Sequence, residues 1–132
     1  MGPETAGMSL WLAVAAGGAL GALARWLMVV QVTRLLGAGF PAGTMVVNVL
    51  GSLAMGLVAA LLAQGLSLSA ELRTFLTVGF LGGFTTFSAY TLDAVGLAGR
   101  GEWAGAAFYT AGSVALGVLA FLAGARIARV LL

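Results

Sequence analysis

The chain has 132 residues, of which 61% are hydrophobic, 21 are glycine and only 8% are charged, whereas a soluble domain is roughly a quarter charged; so few charges cannot cover a water-facing surface, and the chain reads as a membrane protein. Histidine and cysteine are both missing, which excludes zinc and iron–sulfur sites, disulfides, thiol nucleophiles and Ser–His–acid catalysis, and with them most enzyme chemistry. The six basic residues are arginines scattered singly, for a net charge of +2, so the clustered basic surface that nucleic-acid binding needs is lacking and no such partner is read.

A spanning helix takes about 20 mainly apolar residues, and the punctuation of the chain marks out four, making one all-α transmembrane domain. The opening MGPETAG carries Glu4 and no basic residue, unlike a cleaved secretory signal with its positive start, so the first apolar stretch is predicted to be retained. The first span runs over about 8–33 and is ended by Gly37, Gly39 and Pro41; the second covers about 43–63 and closes at the QGLSLS loop. The third covers about 72–97, and Arg100, Gly101 and Glu102 form the next turn. The fourth covers about 103–122, before Arg126 and Arg129. Loops this short predict an up-and-down pair of helical hairpins with both termini on one side.

Cytoplasmic loops collect arginine and lysine. Here one side holds Arg73, Arg126 and Arg129, and the other Arg34 and Arg100, plus Arg25 if it reaches that interface. Three against three gives no bias, and the economical use of a chain that inserts both ways is an antiparallel, dual-topology homodimer. A single orientation set by one strong span is the alternative. Glycine occurs in every span, as at Gly17, Gly18 and Gly21, Gly51 and Gly56, and Gly112, Gly117 and Gly124. Small residues let helices approach closely in lipid, within one copy or against a second.

Unpaired polar groups in hydrocarbon cost several kcal/mol, so polar residues inside the spans carry the functional signal. In the first span, Arg25 is read as a charge at a pathway mouth, or as a side chain snorkelling to the interface. In the second, Thr44, Asn48 and Ser52 recur every four residues on one helix face. The Asn48 amide offers two N–H donors near mid-membrane, for an anion or for a helix-to-helix hydrogen bond. In the third, Gly79, Gly82 and Gly83 followed by Thr85 and Thr86 form the least helix-favouring stretch of the chain. Non-helical backbone at that depth survives only when buried in protein or lining a polar path. A break is predicted there, with carbonyls such as those of Gly82 and Thr85 released as cation ligands; the alternative is a continuous helix with a close glycine contact.

Phe87, Ser88 and Tyr90 follow, and a ring edge is the positive part of an aromatic side chain. Asp93 is the acid of this span, either hydrated near its end or capping local backbone. In the fourth span Tyr109 and Ser113 share a face and present hydroxyls that either extend a track from Asn48 or join helices.

Three segments together, GGALGALAR (Gly17 to Arg25), GTMVVNVLGSLAMG (Gly43 to Gly56) and GFLGGFTTFS (Gly79 to Ser88), resemble the Fluc fluoride-channel family, also called CrcB. The resemblance covers three of the four spans, and GTxxxNxxGS with GxxGGxTTFS is a specific combination. It implies a dual-topology homodimer, two fluoride pathways along the subunit interface and a structural sodium ion at the dimer centre, where the broken third helices meet. It also implies a multi-pass protein of the cell inner membrane or plasma membrane. Asn48 matches the family's pore asparagine, Phe87 the first of its paired pore phenylalanines, and Tyr109 and Ser113 its pore-side tyrosine and a serine of its hydroxyl track. Gly82 and Thr85 match the region whose carbonyls hold sodium, Arg25 matches an arginine near the aqueous vestibule, and Ser88 adds a hydroxyl to the candidate pathway. Tyr90 stands where the family has phenylalanine, Ala89 where it has threonine, and Gly117 where it often has serine.

Read so, the chain is a passive, fluoride-selective channel in which Asn48 N–H, hydroxyls and ring edges replace the water that fluoride gives up. Two rivals are a small proton-coupled multidrug exporter, which would need a membrane carboxylate and has only Asp93 to use, and a non-transporting assembly subunit in which Asn48 and the TTFS segment merely lock helices.

Overall fold

The computed structural model describes residues 3–132, and side chains from Gly7 onward; Met1, Gly2 and the side chain of Glu4, on which the expectation of a retained N-terminus partly rests, lie outside the described residues. The protein is all helical. Helix α1 covers Pro3–Leu36 and α2 covers Ala42–Ala63. The third span begins with α3 (Ala70–Thr74), widens into a π-helical stretch at Phe75–Leu81, returns to α4 (Gly82–Phe84), breaks, and resumes as α5 (Ser88–Gly99). Helix α6 covers Trp103–Leu131. Among the described residues four helical runs are long and apolar enough to cross a membrane: Gly7–Leu36, Ala42–Ala63, Ala70–Gly99 and Trp103–Leu131. The chain is a multi-pass membrane protein whose large apolar side chains, such as Trp11, Trp26, Trp103 and Phe108, face outward.

Glycine supplies the positive φ that ends three helices, at Gly37 (84°), Gly65 (99°) and Gly101 (77°), a backbone region that side chains with a Cβ rarely enter. At one end of the molecule Arg100 Nη2 donates to Gly39 O across the two loops there. At the other, Ser9 Oγ donates to Glu71 Oε1. The helices therefore run up and down, with α1 and α3 starting at the same end.

The third span changes partners half-way. Its first half, from α3 through α4, packs on α1, whereas α5 packs on α6 and, among the described residues, makes no close backbone approach to α1. Helices α2 and α6 form the most extensive pairing, and glycine sets its closeness. A Cβ on Gly56 would run into Phe121 O, and one on Gly124 into Leu53 O. Gly17 and Gly21 do the same for α1 against the backbone of Phe75, Phe80 and Phe84. These glycines serve packing inside one copy.

Candidate functional site at the break in the third span

A continuous helix would direct the N–H of Thr86 to Gly82 O, the i to i−4 pattern. Instead Thr85 is extended (φ −80°, ψ 158°), and Thr86 N–H donates to Asn48 Oδ1 at 2.8 Å. Asn48 Nδ2 in turn donates to Thr86 O at 2.9 Å. One side-chain amide thus satisfies both polar groups of one peptide residue. Arg25 Nη1 donates to Thr85 O at 3.3 Å, and Ala89 N–H turns back to Thr86 Oγ1 at 3.1 Å. Two helices, α1 and α2, therefore hold the broken segment by backbone contacts. The local cause is the glycine and threonine content: Thr85 Oγ1 competes for Leu81 O at 2.9 Å, the back-bonding that bends helices.

Thr85 lies half-way along Ala70–Gly99, so Arg25 is at mid-span and counts toward neither interface. The arginine balance becomes three against two, still a weak bias.

A cavity of about 480 Å³ opens beside the break, lined among others by Asn48, Ser52, Gly82, Thr85, Thr86, Phe87, Tyr90 and Ser113. Side chains of α2 and α6 and the broken segment thus meet in one space. With one N–H and the carbonyl oxygen of Asn48 engaged, the second N–H is the donor left to the cavity. Ser113 Oγ is buried without a hydrogen-bond partner among the described residues. Phe87 lines the cavity and is 78% exposed, with its ring centroid 5.6 Å from that of Tyr90.

Aromatic contacts continue inward. Tyr90 lies 5.4 Å from Tyr109, and Phe40, from the α1–α2 loop, meets Tyr109 edge-on at 5.7 Å. The Tyr90 hydroxyl donates to Thr110 O at 2.9 Å, which fixes its ring against α6. The structure does not bring every candidate to the cavity. Tyr109 is fully buried and its hydroxyl donates to Asp93 Oδ2 at 3.0 Å, so its proton is committed to a carboxylate rather than offered to the cavity. Ser88 is exposed at the start of α5 and lies 3.5 Å from Thr86 Oγ1, outside the lining. Arg25 reaches the site only through Thr85 O. Ser52 was legible only as a member of the Thr44, Asn48, Ser52 face, and no sequence signal marked Phe121 as lining.

The family model described as CrcB-like protein, Camphor Resistance (CrcB), matches residues 12–125. Among similar proteins, one from Nitrobacter winogradskyi, named fluoride-specific ion channel FluC, is 52% identical over 120 residues, covering 91% of this chain and 95% of its own. Proteins of the same name from Rhizobium leguminosarum bv. trifolii and Rhodospirillum centenum are 48% and 50% identical, covering 91% and 92% of this chain and 96% and 97% of theirs.

Proposed function

This chain belongs to the CrcB family, and on that premise we propose that it is a passive fluoride-selective channel, not an enzyme, that lets cytoplasmic fluoride out across the cell inner membrane or plasma membrane. The observation that carries this reading is the cavity at the break, where Asn48, Ser113, Phe87 and Tyr90 converge from three spans. Fluoride is small and strongly hydrated, and the idealised cost of moving such an ion into a low-dielectric medium is of order 20 kcal/mol. Replacement donors must follow one another closely. The second Asn48 N–H and the Ser113 hydroxyl, both without a partner among the described residues, and the edges of two rings are such donors, and the N-terminus of α5 at Ser88 adds partial positive charge at the same depth. A larger, more weakly hydrated halide gains less from these short-range donors, which favours fluoride.

The cavity is open on the side where Phe87 projects, and a second copy fits there as the missing wall. In the antiparallel homodimer the two broken segments face each other and two pathways run along the interface. Sodium is the cation we assign to the dimer centre. Gly82 O, released from its helical donor, suits it, and Thr85 O accepts one N–H from Arg25 and keeps a second lone pair. Carbonyls of unwound backbone are the ligands sodium takes in membrane proteins; bound there, it would offset the dipoles of the opposed carbonyls. The exporter reading finds no support in Asp93, which is occupied by Tyr109.

The test is efflux from liposomes loaded with both halides and followed with fluoride and chloride electrodes. Fluoride leaving while chloride is retained is expected; equal loss of both, or of neither, contradicts the reading.

A further inference from the structure

Several threonine hydroxyls inside the spans bond back to their own helix. Those of Thr77, Thr85, Thr91 and Thr110 each donate to the carbonyl four residues earlier, at 2.7 to 3.0 Å, and are thereby spent on their own helix. Ser52 and Ser113 make no such bond among the described residues. Both line the cavity at the break. Both also line a second space of about 480 Å³ that continues along α6, whose remaining walls are Val114, Gly117, Val118, Phe121 and Leu122. They are the two polar side chains shared by the two spaces, and beyond them the walls are apolar.

Ser52 follows Asn48 by one helical turn on the same face. Opposite it, α6 presents Gly117, where a Cβ would meet Ser52 Oγ at 3.5 Å and nothing else within 4 Å. The hydroxyl of Ser52 therefore borders the volume that a side chain at position 117 would fill.

We propose that Ser52 is a fluoride ligand: its hydroxyl and that of Ser113 donate from facing helices to an anion leaving Asn48, and Ser52 supplies from α2 the donor that position 117 does not supply from α6. This rests on the fluoride-channel reading. It makes the order of polar steps Asn48, then Ser52 with Ser113, then the apolar stretch toward Leu122.

Fluoride efflux from liposomes is measured for the unaltered protein, for Ser52→Ala, and for Ser52→Ala combined with Gly117→Ser, each confirmed as assembled by size-exclusion chromatography. Ser52→Ala should slow efflux by roughly tenfold or more, the order expected for one hydrogen bond to a charged group. The double variant should recover to within about threefold of the unaltered protein, since Gly117→Ser sets a hydroxyl into the same space and a mere packing role would not be rescued. Unchanged efflux in Ser52→Ala, or a double variant as slow as the single one, overturns the proposal while leaving the channel reading intact. An unaltered protein that passes no fluoride overturns both.

Discussion

Asn48 and Thr86 exchange two hydrogen bonds, Nδ2 to the Thr86 carbonyl at 2.9 Å and the Thr86 N–H to Oδ1 at 2.8 Å. A side chain on α2 thus does for the broken third span what the next turn of helix does elsewhere. The two roles first weighed for Asn48, helix-to-helix bond and anion donor, are compatible, because the amide has a second N–H. Asn48→Asp keeps the acceptor for Thr86 N–H but sets a carboxylate oxygen against Thr86 O. It is expected to lower stability by about 1–3 kcal/mol and to abolish fluoride flux, since two unit charges about 4 Å apart repel by roughly 4 kcal/mol at an effective dielectric of 20. Thermal unfolding in detergent and liposome efflux read the two effects separately; a folded Asn48→Asp variant that conducts normally would remove Asn48 from the pathway.

Tyr90→Phe removes the hydrogen bond to Thr110 O and leaves the ring contacts with Phe87 and Tyr109. Stability should fall by about 1 kcal/mol. Flux should stay within roughly tenfold, a change of about 1.4 kcal/mol in barrier, because the positive ring edge remains. Tyr90→Ala should slow efflux far more. Equal flux in the two variants would show that the ring takes no part.

Gly56→Ala and Gly124→Ala each push a methyl into the backbone of the facing helix, at Phe121 O and Leu53 O. Backbone cannot swing aside as a side chain can, so α2 and α6 must separate. A cost of about 1–3 kcal/mol or more is expected, seen as a lower melting temperature and loss of a single chromatographic peak. Gly18→Ala and Gly99→Ala, where a Cβ meets nothing within 4 Å, should behave like the unaltered protein in detergent.

Replacing sodium by a large organic cation such as N-methylglucamine should lower the melting temperature of the purified protein, and returning sodium should raise it again, the stabilisation free energy growing as RT ln(1 + [Na⁺]/Kd). A melting temperature indifferent to sodium would contradict the assignment of Gly82 and Thr85 carbonyls to that ion.

The four spans were legible because nothing else accounts for apolar runs of this length, and the break because Gly82, Gly83, Thr85 and Thr86 offer the backbone alternatives to helix. What holds the break was not legible. The Asn48 to Thr86 pair joins positions 38 apart and the Arg25 to Thr85 bond joins positions 60 apart, and such pairings depend on helix packing that spacing alone does not encode. Tyr109 and Ser113 share a helix face, yet one hydroxyl is taken by Asp93 and the other has no partner among the described residues. The difference lies in which neighbour comes within reach, again a tertiary matter. The π-helical stretch at Phe75–Leu81 had no sequence signal beyond its glycine and threonine content.

Selective passage of fluoride through the space that Asn48, Ser113 and the two rings enclose sets the reversal potential across a planar bilayer containing the protein, measured with fluoride on one side and chloride at equal concentration on the other. A potential that shifts with each change of fluoride concentration as the fluoride equilibrium potential does, and is unmoved by chloride, is the predicted result. A potential near zero under these bi-ionic conditions would mean that chloride carries current as readily and that the pathway does not select fluoride.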